Sequence, residues 1–367
     1  MTEHFDVAII GAGMAGASLA AECAPHARVL LVEAEDAPGY HTTGRSAAFW
    51  EEAYGGPGVL PLTEASGRFL REGGFLSPRG ALNIGREEDR TKVEAFVERF
   101  APLGVTVELL EGAALAARVP GLSPAWCVAA WEPDCADIDV AGLHQHYLAV
   151  AARIGSVLRV RARIEHIERE GEAWRIAWRD GEARAGRVVN AAGAWADTVA
   201  SLAGAAPLGI RPLRRTVVQL RTEPVPPADL PLTLGINEDF YFKPQGGRLW
   251  LSPHDETPDV ARDAAAEELD VAIAIDRMNH VVDWKVEAVE RRWAGLRSFA
   301  PDRLPIYGFD PAVDGFFWFA GQGGFGIQTA PAAARLGAQL LLGLGSDALT
   351  ARIDPAAYAP SRFTAAA

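Results

Sequence analysis

Phe5-Asp6-Val7-Ala8-Ile9-Ile10-Gly11-Ala12-Gly13-Met14-Ala15-Gly16 decides how this chain is read. Residues 5–10 are a nearly unbroken apolar run, as a parallel strand buried on both faces requires. The following residues have the G-x-G-x-x-G spacing. Gly11 permits a tight strand-to-helix turn, Gly13 lets a pyrophosphate approach the backbone, and Gly16 lets the helix pack closely on the sheet. Met14 and Ala15 lie at the helix entrance, where free N–H groups and a positive dipole end face phosphates. Residues 17–23 read as that helix, and 28–32 as a second strand ending at Glu33. Glu33, 20 residues beyond Gly13, is placed to accept hydrogen bonds from ribose hydroxyls. Glycines alone also suit an ordinary packed turn. Strand, glycines, helix, strand and terminal acid in this order read as a dinucleotide site.

The 367 residues suffice for two domains with real cores, and 49% hydrophobic content is that of an ordinary globular protein. A net charge of −13 argues against nucleic acid or an anionic membrane as main partner. The three cysteines, Cys23, Cys127 and Cys135, form no C-x-x-C pair and leave one unpaired. A cytoplasmic setting without structural disulfides is therefore expected. The start shows no basic n-region and no small-residue cleavage site. The longest uncharged stretch, 315–334, holds five glycines, two glutamines and a proline, so no transmembrane segment is expected.

After Glu33 the chain runs through Pro38-Gly39-Tyr40 into His41-Thr42-Thr43-Gly44-Arg45-Ser46-Ala47-Ala48. Hydroxyls, glycines and an arginine here suit either an ordinary capped loop or one that wraps the rest of a dinucleotide. Behind this β-α-β unit, the stretch resembles the flavoproteins of the D-amino-acid oxidase superfamily, and within it the bacterial D-arginine dehydrogenases. The resemblance implies FAD, held noncovalently, with Thr42, Thr43, Arg45, Ser46, Ala47 and Ala48 on its pyrophosphate and ring side. The family's covalently flavinylated branches use a cysteine or histidine near the ring; Arg45 stands where a histidyl link would form.

Residues 49–80 read as mostly helical, broken at Gly55-Gly56-Pro57-Gly58, with Tyr54 at the edge of a mobile loop. A strand is expected at 80–84, a charged helix at 87–100, a strand at 105–110 and a short helix at 111–119. His144-Gln145-His146 lies on a helix over 139–154. Positions i and i+2 face different sides and no acid or cysteine sits at ligand spacing, so solvated histidines and no metal are expected. Alternating strands over 157–190 turn at Gly171 and Asp180-Gly181. Asn190-Ala191-Ala192-Gly193-Ala194-Trp195 then leaves a strand for a helix. This exit resembles the family's second FAD-contacting turn, and Ala191, Gly193 and Trp195 would carry it.

The stretch 211–297 is strand-rich, with a hairpin signal at Pro244-Gln245-Gly246-Gly247 and one helix over 265–282 led by acids. Arg297 lies in the apolar strand Trp293-Ala294-Gly295-Leu296-Arg297-Ser298-Phe299, where an unpaired charge is costly and a carboxylate fits its fork. Family members bind the substrate carboxylate with an arginine in such a stretch and a tyrosine in an F-Y-x-K-P stretch, which Tyr241 matches; Arg215 matches a third arginine. At the end of the chain an apolar strand at 316–320 enters Gly321-Gln322-Gly323-Gly324-Phe325-Gly326-Ile327-Gln328-Thr329 and a helix over 330–342. In the family this helix points at the flavin's pyrimidine end, placing Gly323, Gly324, Gly326, Ile327 and Gln328 beside it.

The fold class implied is α/β with α+β character: a Rossmann-like FAD-binding domain (1–80, 136–205, 300–367) with an interleaved antiparallel-sheet substrate domain (81–135, 206–299). The activity implied is oxidative deamination of a D-amino acid. FAD takes a hydride from Cα, and an imino acid is released and hydrolysed to keto acid and ammonia. Arg297, Tyr241, Arg215, Tyr54, Gly324 and Gln328 would form the reacting site. D-Arginine-specific relatives carry an acid after Ser-Pro-Arg, where alignment puts Ala81, and a histidine where Phe49 stands. Neutral or hydrophobic side chains are therefore expected, with Glu51 and Glu52 read as a solvated helix face. A glycine- or sarcosine-oxidase-like amine oxidase, a 2-hydroxy-acid dehydrogenase, or a non-catalytic flavin-binding partner are the alternatives. The electron acceptor (quinone, dye or O2) and the oligomeric state stay open.

Overall fold

The computed structural model describes residues 3–363. Strand Glu3–Ile10 lies at the middle of an eight-stranded sheet. It is flanked in parallel by Val29–Val32 and by Gly181–Asn190. Val157–Arg159 extends the parallel part beyond Val29–Val32, and Phe316–Ala320 pairs in parallel with the end of Gly181–Asn190. Antiparallel strands Ile164–Glu170, Ala173–Trp178 and Ile306–Phe309 finish the sheet. The apolar runs divide by alternation. Val7, Ile9, Leu31, Val189, Phe317 and Phe319 enter one core with helices Met14–Cys23, Val140–Arg153 and Ala330–Leu342. Ala8, Ile10, Leu30, Val32, Val188, Phe316 and Trp318 enter a second core on the opposite face. Burial on both faces is why these strands carry no polar alternation.

A ten-stranded sheet contains Ala81–Arg86, Trp126–Glu132, Leu232–Gly235, Tyr241–Gln245 and Arg248–Ser252 around one long antiparallel pair, Arg211–Glu223 with Lys285–Phe299. The turn between Tyr241–Gln245 and Arg248–Ser252 is Gly246-Gly247, both at positive φ (58° and 72°), as a hairpin of this twist demands. The two-residue period separates Arg214 from Arg215. Arg214 faces helix Glu268–Asn279 and pairs with Asp270 at 3.0 Å and with Glu267. Arg215 faces the other way.

Several local expectations need correction. Residues 49–80 are mostly not helix: Phe49–Trp50 is a strand, turns follow, and the helix is Leu60–Glu72, followed by strand Leu76–Pro78. Pairing with Ala136–Ile138 draws residues 49–50 and 76–78 into a small sheet, and positive φ at Gly55 and Gly56 breaks any helix between them. The helix expected over 265–282 is shorter, Glu268–Asn279, and no side chain caps it. His144 is buried rather than solvated: its Nε2–H donates to the carbonyl of Ala12 at 2.9 Å, buttressing the glycine turn. Glu51 is likewise buried rather than on a solvated helix face. Among the described residues no helix is long and apolar enough to cross a membrane, and no group of three potential ligands could hold a metal.

Candidate cofactor and substrate site

The first glycine turn is shaped by close backbone contacts. Gly11 has φ +102°, and a Cβ there would lie 2.4 Å from the carbonyl oxygen of Ala191. A Cβ on Gly16 would lie 1.8 Å from the Gly11 carbonyl, so this glycine serves helix packing and does not line the cavity. Gly13 is the N-cap of helix Met14–Cys23 and supplies no side-chain cap. Met14 N–H donates to Thr43 Oγ1 at 2.9 Å, and Thr42 Oγ1 donates to the carbonyl of Leu296 at 2.7 Å. The 42–45 loop thus ties the glycine turn to the strand that carries Arg297. Arg45 is spent on structure: it donates to the carbonyls of Ala264 and Ala294 and pairs with Asp263. The Glu33 carboxylate accepts from Ala12 N–H at 3.0 Å and Glu35 N–H at 2.9 Å.

These pieces line one continuous cavity of about 330 Å³. Every residue expected to hold the cofactor or to form the reacting site, except Gly16, lines it. From the first turn come Gly11, Gly13, Met14, Ala15 and Glu33; from the loop, Thr42, Thr43, Arg45, Ser46, Ala47 and Ala48. Ala191, Gly193 and Trp195 follow, then Gly323, Gly324, Gly326, Ile327 and Gln328, and finally Tyr54, Arg215, Tyr241 and Arg297. Among the described residues the carboxylates lining it are Glu33 and Glu35, and no cysteine does.

Two buried arginines meet at one end of the cavity, with Glu256 against both and Asp255 3.8 Å from Arg215. Leu213 pairs with Arg297 and Arg215 with Gly295, so the two arginines are diagonal neighbours on one face of the long antiparallel pair. Both are 8% exposed. Arg215 Nε donates to the Asp255 carbonyl at 2.9 Å, and its guanidinium lies 5.7 Å from the Tyr241 ring. Burial, then the charge of Arg297, lowers its pKa. Arg297 Nη1 donates to the Tyr54 hydroxyl at 3.1 Å and Nη2 to Glu256 at 2.5 Å, while its Nε–H has no partner among the described residues. Burial opposes the charge of Arg297, but Tyr54 and Glu256 outweigh it and the pKa is raised. Burial raises the Tyr241 pKa, so its phenol stays a donor. Gly324 backs this cluster: a Cβ there would sit 2.1 Å from the Tyr54 hydroxyl. Gln328 faces inward, donating to the carbonyls of Glu51 and Tyr54 and to Thr63 Oγ1.

Two features were not read from the sequence. His254 lines the cavity edge-on to Tyr241, with its pKa brought down to about 2 by burial and by Arg215 and Arg297. Glu256, itself held by Arg303 at 2.8 and 3.0 Å, is the acid that Arg297 finds inside the protein. Both lie in the coil after Arg248–Ser252, where no periodicity marks them. Ala81 is fully buried behind Tyr241 with Ala47, Cys135, Leu232 and Leu234, and does not line the cavity, so it is no selectivity position. The apolar surface beside the arginines comes instead from Ala47, Ala48, Phe49 and Val217.

Comparison with known proteins gives one family match, DAO, described as FAD dependent oxidoreductase, over residues 6–340. The chain is 30% identical to a glycine oxidase of Pseudomonas aeruginosa over 197 residues, covering 51% of this chain and 48% of that protein. It is 27% identical to the monomeric sarcosine oxidase of a Bacillus species (strain B-0618) over 207 residues, covering 53% of each. The matched stretch thus spans about half the length of either relative. In fold it is similar to glycine oxidase from Geobacillus kaustophilus, with TM-score 0.85, 24% identity, and 98% and 99% of the two chains covered. It is also similar to L-proline dehydrogenase from P. horikoshii, with TM-score 0.87, 20% identity, and 100% and 99% covered. The likeness is to the glycine and sarcosine oxidases rather than to D-arginine dehydrogenases in particular.

Proposed function

The chain belongs to the FAD dependent oxidoreductase family, and from that premise we propose that it oxidises an amino acid with a neutral side chain. Its cofactor is FAD. The residues fit that group: the Gly11 turn has no room for a side chain, Glu33 stands at the cavity wall, and the Met14–Cys23 helix opens on Gly13 without a side-chain cap. When bound, FAD supplies the two-electron oxidation. We assign the eight-stranded sheet to its binding and the ten-stranded sheet to the substrate, with the division of the chain expected from the sequence.

The observation that carries the reading is the buried pair Arg215 and Arg297. Glu256 is shared among Arg215, Arg297 and Arg303, so the two buried charges are only partly compensated and favour a further anion on the cavity side, where Arg297 Nε–H stays open among the described residues. Arg297 and Arg215 bind the substrate carboxylate, Tyr241 donates to it, and Tyr54 fixes the Arg297 fork. The carboxylate so clamped holds Cα in one orientation, a positioning effect that needs no nucleophile. His254 stays neutral and adds no competing charge. Phe49, Val217, Ala47 and Ala48 keep water from the side-chain end. Among the described residues no carboxylate lines that end to receive a cationic side chain. A D-amino acid is the first reading. Glycine or a small secondary amine is the second, favoured by what the relatives are named for.

Anaerobic mixing with an amino-acid panel tests this. D-Leu, D-Met or D-Phe is expected to exceed D-Arg in kcat/KM by about tenfold or more, because an uncompensated buried guanidinium is costly to desolvate. A preference for D-Arg sinks the neutral-pocket reading, and turnover of glycine and sarcosine alone moves the assignment to the second one. The flavin itself is expected to be released into the supernatant on acid precipitation. Yellow colour remaining in the pellet would show a covalent link, for which His41 and His254 are the first residues to examine.

A further inference from the structure

Behind the carboxylate site lie two acids that the mechanism does not use. Glu51 is 2% exposed and Glu132 is fully buried. Glu132 ends strand Trp126–Glu132, and its Oε1 accepts from Glu52 N–H at 2.6 Å. Glu51 Oε1 accepts from Asn83 Nδ2 at 3.3 Å. Among the described residues Oε2 of each buried acid has no partner and neither acid has a cation against it. The charged and titratable groups around them are Glu52 on the same turn, Cys135 beyond Glu132, Lys243 taken up by Asp137 at 2.6 Å, and Arg71 lying over the Trp50 ring. Burial pushes Glu51 up to about 7. Burial and the Glu51 charge push Glu132 well above the usual carboxylate range.

The pair bears on the site through one turn. Tyr54 N–H donates to the Glu51 carbonyl at 3.2 Å, Gln328 bonds the backbones of both residues, and the Tyr54 hydroxyl accepts from Arg297. Gly55 and Gly56, both at positive φ, follow immediately and give the turn a place to bend. We propose that Glu51 and Glu132 are positioning residues, holding Tyr54 against Arg297 while the pair keeps its protons and releasing it when both ionise; this rests on the carboxylate-binding reading above. Two adjacent anions without a cation are relieved by water entry or by displacement of the 51–54 turn, and Tyr54 moves with that turn. Because both acids are raised in the folded state, their contribution to stability is complete below the ordinary carboxylate range and is lost as pH rises through 7 and above.

The test uses the flavin-loaded protein and benzoate, a carboxylate with no amine to oxidise, followed through the flavin spectrum. For the wild type, Kd for benzoate is expected to weaken about tenfold between about pH 6 and about pH 9, with a parallel fall in Tm. Glu51→Gln is expected to hold Kd within about twofold over the same range and to flatten the Tm profile. Glu132→Gln gives the same readout should Glu51→Gln fail to fold. Equal pH dependence in the wild type and the variants overturns the proposal alone. Failure of the wild type to bind benzoate at either pH overturns the carboxylate-binding reading and the proposal with it.

Discussion

Replacing Arg297 with methionine is expected to raise KM for the amino acid by roughly thirtyfold to a few thousandfold, the equivalent of about 2–5 kcal/mol for a lost charge-assisted contact to a desolvated carboxylate. Methionine keeps the volume and the apolar stem while removing the fork. Arg215 and Tyr241 would remain, so binding is weakened rather than abolished. The acid left behind keeps a cation, since Arg303 also holds Glu256, and the strand should fold as before. Flavin content should match the wild type, because the hydrogen bonds of Arg297 go to Tyr54 and Glu256 and not to the first glycine turn. Steady-state kinetics together with the flavin-to-protein absorbance ratio check both halves. An unchanged KM would remove Arg297 from the site.

The second large effect is at the first glycine turn. Gly11→Val is expected to drop flavin content to below about a tenth of the wild-type value, through a β-branched residue at positive φ that costs roughly 1–3 kcal/mol in backbone strain before any overlap. The overlap is worse: the new Cβ would sit 2.4 Å from a backbone oxygen and 2.9 Å from its carbon, both of Ala191. Neither atom can rotate away, because Ala191 N–H is itself bonded to the Ile10 carbonyl. Gly13→Ala is the milder comparison, its Cβ meeting only Thr43 Oγ1, at 3.2 Å. Far-UV circular dichroism distinguishes loss of cofactor from loss of fold. Full flavin retention by Gly11→Val would refute the placement of the dinucleotide on this turn.

What was legible in the sequence was whatever local periodicity or spacing records. The strand at 5–10, the second strand to Val32, the hairpin at Gly246-Gly247 and the helix over 330–342 all stand where apolar patterning and turn residues put them. Arg297 was legible as a charge in an apolar strand; Arg215 came only from the family resemblance, and register shows that it, not Arg214, shares the face of Arg297. What escaped depends on partners far along the chain. His144 on a half-polar helix has the signature of a surface residue, and only the packing of that helix against the glycine turn makes it a buried donor. Adjacent Glu51 and Glu52 read as solvated because nothing nearby in sequence could bury them; the strand ending at Glu132 does so. Glu256 lies in coil, where no pattern announces a partner 41 residues away.

The contacts that assemble the cavity span long stretches of chain: 132 residues from Ala12 to His144, 254 from Thr42 to Leu296, and 277 from Glu51 to Gln328. A chain emerging from the ribosome therefore makes its first glycine turn long before residue 328 and cannot complete the site around it until that residue has been synthesised. Closing loops of this length costs entropy before any contact rewards it, so assembly should be slow compared with formation of the helices. Until then the chain carries its glycine turn with half a pocket.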